Sequence, residues 1–164
     1  MKEHKKTPIE KIGEFTLWEF ERQYALIRDS DKYVAYYMKF RFDNVRLLRR
    51  QCVRQVVVWR TNKVDTDGIA KRIFLKHLIP SYQNIITDAE QTPDGRRFWQ
   101  DRIRNTLNDK AAYVYYIDIQ HPREVTEIKS MDEYDDIISG KSTYGEGQKY
   151  QNRRFVIMVQ PYNP

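Results

Sequence analysis

The chain has a single cysteine, Cys52, only three histidines, and no long apolar run. One thiol excludes an internal disulfide and any zinc site built on several thiolates. His4, His77 and His121 are too scattered to form a metal-binding motif. No stretch approaches the roughly 20 apolar residues of a membrane-spanning helix, and the lysine-rich start is not followed by an apolar segment of the secretory kind. The expectation from these absences is a protein without membrane partners, residing in the cytoplasm. Glycine and proline, six each, are too few for a low-complexity chain.

What is present is an ordinary globular composition, with 40% hydrophobic and 32% charged residues in a length of 164. That size predicts one domain, residues 13–164, preceded by a polar, mobile segment over residues 1–12. The net charge of +6 is unevenly placed: residues 1–60 hold 14 Lys+Arg against 8 Asp+Glu, whereas residues 61–164 hold 15 of each. A basic patch for nucleic acid or another polyanion is one reading of that excess, and a solvated surface is the other.

Along the chain, residues 15–28 read as strand with an interruption between Leu17 and Tyr24 open, and the cluster Asp29, Ser30, Asp31, Lys32 as the turn of a hairpin. The next run alternates: Val34, Tyr36, Met38, Phe40 and Phe42 share one face, and Tyr33, Ala35, Tyr37, Lys39 and Arg41 the other. Asp43 and Asn44 suggest a turn, followed by a strand or pair of strands over residues 45–60. The β-branched run Val56, Val57, Val58 with Trp59 predicts a central strand buried on both faces. The period then changes to helical over residues 68–79, with Pro80 as the stop. A short strand over 84–87, a helix over 95–105, a strand over 111–119, a short helix over 131–138, a glycine-bearing loop over 139–148 and a final strand over 154–159 complete the reading. Strands, then βαβα, then strands again describe a mixed α/β (α+β) domain.

One pattern occurs twice. Strand 55–60 leads through a loop to Gly68 and a helix; strand 84–87 leads through a loop to Gly95 and a helix. Backbone N–H groups that open such a helix converge on one point, where a phosphate or pyrophosphate can sit.

On these residues the chain resembles the GCN5-related N-acetyltransferase (GNAT) superfamily. The resemblance covers roughly residues 24–159 and is concentrated in 55–103. The segment 91–99, QTPDGRRFW, is similar to divergent acetyltransferase-like proteins carried by bacteriophages and mobile elements, which would place the chain in a bacterial host cell. The resemblance implies an antiparallel N-terminal sheet and a fourth strand that splays from a parallel fifth. It also implies a helix N-terminus under the pyrophosphate of acetyl-CoA or another acyl-CoA. The family's Gln/Arg-x-x-Gly-x-Gly/Ala loop aligns with Asp65-Thr66-Asp67-Gly68-Ile69-Ala70, with Asp65 in place of the opening Gln or Arg. The implied cofactor contacts are Val57, Val58, Trp59, Arg60, Lys63, Asp67, Gly68, Ile69, Ala70 and Lys71, with Thr92 and Trp99 from the second signature.

The chain departs from the family at chemically important positions. Trp99 stands where the family often has a tyrosine that protonates the leaving thiolate, and an indole N–H has no such acidity. Strand four lacks the usual carboxylate, leaving Asp88 as the candidate base. Three functions therefore stand open. One is an acyl-CoA-dependent N-acetyltransferase of unknown acceptor. The second is a catalytically degenerate binding protein for a host macromolecule, protein or nucleic acid. The third is a basic nucleic-acid-binding module, in which Tyr33, Tyr37, Lys39 and Arg41, and the series Arg46, Arg49, Arg50 and Arg54, combine rings with cations. Gly140, Lys141 and Ser142 imitate the end of a P-loop, but the glycine five residues earlier is Asp135, so that motif is rejected. Cys52, with no histidine nearby in sequence, reads as a buried thiol.

Overall fold

The computed structural model describes residues 6–88, 92–119, 124–141 and 152–164. Hydrogen-bonded neighbours give the strand order β1-β2-β3-β4-β5-β6-β9-β7-β8, nine strands in a mixed α/β protein. Among the described residues β5 and β6 pair in parallel, whereas β1–β2, β2–β3, β3–β4, β6–β9, β7–β8 and β7–β9 pair antiparallel. The chain divides into two compact units, Met1–Arg41 with Gln55–Ile73, and Phe42–Arg54 with Phe74–Pro164.

The first unit is a meander of β1 (Thr7–Ile12), β2 (Phe15–Phe20) and β3 (Gln23–Arg28). It also holds the start of β4 (Val34–Val45), the end of β5 (Arg50–Arg60) and α1 (Ile69–Ile73). Strand alternation sorts its side chains. Leu17, Leu26 and Tyr36 stand opposite one another across β2, β3 and β4, and Tyr24 stands opposite Met38; all five are buried. Tyr24 also stacks on Phe40, with ring centroids 5.7 Å apart. Apolar area removed from water at this face, about 1.5–3 kcal/mol per large side chain, is what holds the meander together. α1 buries Ile69 and Ile73, and its Arg72 is ion-paired with Glu10 of β1.

The second unit contains the β4–β5 turn, the π-helical turn Phe74–Leu78, α2 (Ile79–Tyr82) and β6 (Asn84–Ile86). α3 (Pro93–Asp109), β7 (Tyr113–Asp118), β8 (Glu124–Ile128), α4 (Met131–Lys141) and β9 (Arg153–Met158) follow. β9 lies between β6 and β7, antiparallel to both. A core of Val45, Leu48, Cys52, Ile86, Tyr115, Ile117, Val156 and Met158 fills one side. α3 buries Trp99, Arg102, Ile103 and Thr106, the i, i+3, i+4, i+7 stripe of an amphipathic helix.

Several expectations need correction. Within the segment expected to be mobile, Thr7–Ile12 is a strand paired with β2. The interruption allowed for within residues 15–28 is a turn, where Arg22 adopts φ 59° and divides them into two strands. β4 runs through Asp43 and Asn44, and the turn comes at Arg46–Leu48, closed by Arg49 at φ 52°. Pro80 does not end its helix. The wider π turn precedes it and Pro80 falls in the first turn of α2, where a missing N–H costs little; the helix ends at Gln83 (φ 63°). Gly95 does not open α3 either, since Thr92 caps a helix that begins at Pro93. β8 was not foreseen. The glycine-bearing loop expected over 139–148 begins inside α4, and from residue 142 it lies outside the described residues.

The largest correction concerns Val57, Val58 and Trp59, expected to be buried and found 44%, 43% and 49% exposed. β5 pairs with β6 only at Val53↔Ile85 and Arg54↔Ile86. A strand is buried by its neighbours and covering layers, not by its β-branched composition. Cys52, Val53 and Arg54 are buried; residues 57–60 are not.

Candidate functional site

The loop from Thr61 to Gly68 is built by short polar side chains that take up local backbone donors. The Tyr33 and Thr61 hydroxyls share a hydrogen bond of 2.5 Å, and Thr61 Oγ1 also accepts from the Lys63 N–H at 3.1 Å. Asp65 Oδ1 accepts the Asp67 N–H at 2.8 Å, an Asx turn. The Ile69 N–H donates to the Thr66 carbonyl at 3.1 Å. Gly68 then takes φ +77°, which only glycine adopts without strain, and its carbonyl accepts the Arg72 N–H at 2.8 Å.

This loop lines an open hollow of about 260 Å³, bordered by Arg60, Asp65, Thr66 and Asp67 among others. Arg60 Nη1 lies 3.7 Å from Asp67 Oδ1, both side chains exposed. Two carboxylates against one guanidinium make the lining net acidic. Two of the amides that would receive a pyrophosphate, those of Asp67 and Ile69, already donate within the loop. The cavity is also at the small end for a cofactor of that size. These residues do not fit an acyl-CoA pyrophosphate. Among the other expected contacts, Ile69 is buried, Ala70 half-buried and Lys71 exposed.

The remaining predicted residues belong to the second unit. Thr92 Oγ1 accepts the Gly95 N–H at 3.1 Å and is an N-cap. Trp99 is buried, edge-on to Phe74 (centroids 5.8 Å) and Phe98 (5.4 Å), and is therefore core. Asp88 follows Thr87, whose N–H and Oγ1 both bond the Phe155 backbone at 2.9 and 3.1 Å. That anchor directs Asp88 to Arg54: Nη1 donates to Asp88 Oδ1 at 2.7 Å and Nε to Asp43 Oδ2 at 2.6 Å. Arg154 adds a second cation, 3.9 Å from the same Asp43 oxygen. Asp88 Oδ1 is thereby engaged by a buried guanidinium. Arg54, expected as one of a series of nucleic-acid-facing cations, is instead the buried centre of this ionic cluster; its neighbour Arg50 donates to the Pro161 carbonyl at 2.9 Å. Beside the cluster lies a second cavity, about 300 Å³, whose lining includes Asp43, Arg46 and Arg154.

Burial pushes the Cys52 thiol up to about 12, with Asp43 adding to the shift and Arg50 opposing it. Cys52 is thus a protonated core thiol rather than a nucleophile. Among the described residues no three His, Cys, Asp or Glu side chains are gathered to hold a metal ion. No helix of the described residues is long and apolar enough to cross a membrane.

Sequence reasoning missed the partnership of Arg54 with Asp43 and Asp88. Its only sequence signal was a charged residue inside a strand-like run of apolar ones. A scan of protein-family models finds no match to this chain, and searches of the curated proteins and of the solved structures find none either.

Proposed function

We propose that this chain is a catalytically silent binding protein with an acetyltransferase-like order of elements. The observation that carries this reading is the engagement of Asp88, the one candidate base, by the buried Arg54 guanidinium at 2.7 Å. Two residues that the family resemblance implies as cofactor contacts are spent in the same way, Thr92 on a helix cap and Trp99 on an aromatic cluster. The acetyltransferase-like order is supported by antiparallel N-terminal strands and a single parallel pair whose register spans two residue pairs. A helix following each member of that pair adds to it. The net acidic loop at Asp65 and Asp67 argues against a retained acyl-CoA, because it would repel about two negative charges of pyrophosphate.

Calorimetric titration with about 1 mM acetyl-CoA tests the ligand half of this reading, an affinity limit for which any specific site would give heat. The expected result is no saturable heat. Saturable binding, weakened by Gly68→Ala or Lys71→Glu, would return the loop to the role that the family resemblance implies.

A further inference from the structure

The core of the second unit opens to solvent at one end. Ile117 of β7 stands opposite Arg154 of β9, and Ile86 of β6 opposite Val156. Alternation along β9 puts Arg154 on the same face as Val156, the face of the core that also holds Val45. Beyond Ile117 that face continues into Ile119, whose N–H donates to the Asn152 carbonyl at 3.0 Å. The backbone of Ile119 is therefore held in register, yet this residue is 43% exposed while Ile117 is fully buried. Val45, Leu47, Ile86 and Ile119 wall the hollow of about 300 Å³ beside the ionic cluster. Val45 and Ile86 are core residues, so the hollow is the place where the core meets water.

The rest of its lining is charged or polar: Asp43, Asn44, Arg46 and Arg154. Asp43 Oδ2 already accepts from Arg54 Nε at 2.6 Å and has Arg154 at 3.9 Å, and Arg54 also holds Asp88. Arg46 is exposed, and its side chain enters no ion pair or hydrogen bond among the described residues. Three guanidiniums thus stand against two carboxylates around an apolar hollow, leaving one positive charge in excess.

We infer that this hollow binds a small organic monocarboxylate with an aryl or branched alkyl body. The inference goes beyond the catalytically silent reading and does not rest on it, since neither acetyl-CoA nor the basicity of Asp88 enters. The apolar body covers Ile119 and the exposed edge of the core, which removes apolar surface from water. The carboxylate meets the Arg46 and Arg154 side, where guanidinium donors match its planar pair of oxygens. A single negative charge balances the excess, whereas an ammonium would add to it. At roughly 30 Å³ per water-sized group, the hollow takes on the order of ten non-hydrogen atoms, at the low end for a small-molecule site.

The test is methyl NMR of the whole chain titrated with phenylacetate, a monocarboxylate of about that size. A ligand of roughly ten atoms should bind with a Kd of about 1–5 mM, so titration to about 20 mM reaches saturation. The expected result is saturable shifts centred on Val45, Leu47, Ile86 and Ile119. Phenylacetamide, equal in shape and neutral, should bind about fivefold more weakly, and 2-phenylethylammonium should give no saturable shift. Arg46→Glu should weaken phenylacetate binding about fivefold, and Ile119→Ser by a similar factor of about five. Both substitutions are at exposed positions, and the resonance of the buried Ile103 methyl reports that each variant stays folded. Absence of saturable shifts, shifts centred on other residues, equal binding of the amide or the ammonium, or binding insensitive to both substitutions would each overturn the inference. Acetyl-CoA takes no part in any of these measurements, so failure here is distinguishable from failure of the catalytically silent reading.

Discussion

Replacing Arg54 with methionine removes the cation that holds two carboxylates while keeping most of its aliphatic volume. The guanidinium side chain is 10% exposed, and those of Asp43 and Asp88 are 25% and 32% exposed. Breaking a buried ion pair from one side costs about 3–5 kcal/mol, because the abandoned charge must be resolvated. Partial exposure of both aspartates brings Arg54→Met to the low end of that range, about 3 kcal/mol. Asp88→Asn leaves a neutral acceptor and the Asp43 pairing intact, so its cost should be about 1–1.5 kcal/mol. In the double variant the carboxylate orphaned by methionine is gone, and the combined loss should stay near 3 kcal/mol, a coupling of about 1–1.5 kcal/mol. Urea denaturation of the four proteins, compared at unchanged m value, measures this cycle. Additive costs, or an Arg54→Met variant within about 0.5 kcal/mol of the parent, would refute a structural role for Asp88 and free it to act as a base.

Two further outcomes follow from the same geometry. Gly68→Ala should cost about 1–2 kcal/mol by thermal or urea denaturation, because alanine is strained at φ +77° although a Cβ there meets nothing within 4 Å. A loss below about 0.3 kcal/mol would mean that the loop relaxes to another conformation. Cys52 gives a pH signature. Its thiol stays protonated in the folded chain up to about 12, whereas the unfolded chain ionises near its ordinary value of 9.0. Its contribution to stability is therefore intact below pH 9 and lost as pH rises between 9 and 12, at up to about 1.4 kcal/mol per pH unit. Tyr36, also raised by burial, acts in the same direction. Cys52→Ala should flatten the alkaline fall in unfolding free energy between pH 9 and 11; an unchanged slope would show that the thiol ionises in the folded chain.

Periodicity made much of the fold legible. Tyr36, Met38 and Phe40 are buried while Lys39 and Arg41 are exposed, as the alternation of β4 requires. The helix of residues 93–109 was legible from its apolar spacing, though its start was not, because Thr92 competes with Gly95 as a cap. The exposure of Val57, Val58 and Trp59 was not legible, since the length of β6 and its two-residue register with β5 set it, and neither is written in β5 itself. The ionic cluster was hidden for a similar reason: Asp43, Arg54 and Asp88 are separated by 11 and 34 residues and meet only through strand pairing. Aromatic and basic residues of β2 and β4 could be noticed singly. That Trp18, Tyr37 and Lys39 share a face became visible only with the register of β3 between them.

Release of free CoA from acetyl-CoA in the presence of an amine panel is the most direct measurement. The panel would hold lysine peptides, polyamines and amino sugars, and release would be followed with a thiol reagent that the buried Cys52 does not reach. A rate equal to the protein-free blank, unchanged by Asp88→Asn, is the expected result for a chain whose Asp88 is held by Arg54. A rate above the blank that Asp88→Asn abolishes would contradict it, and would make this aspartate a working base.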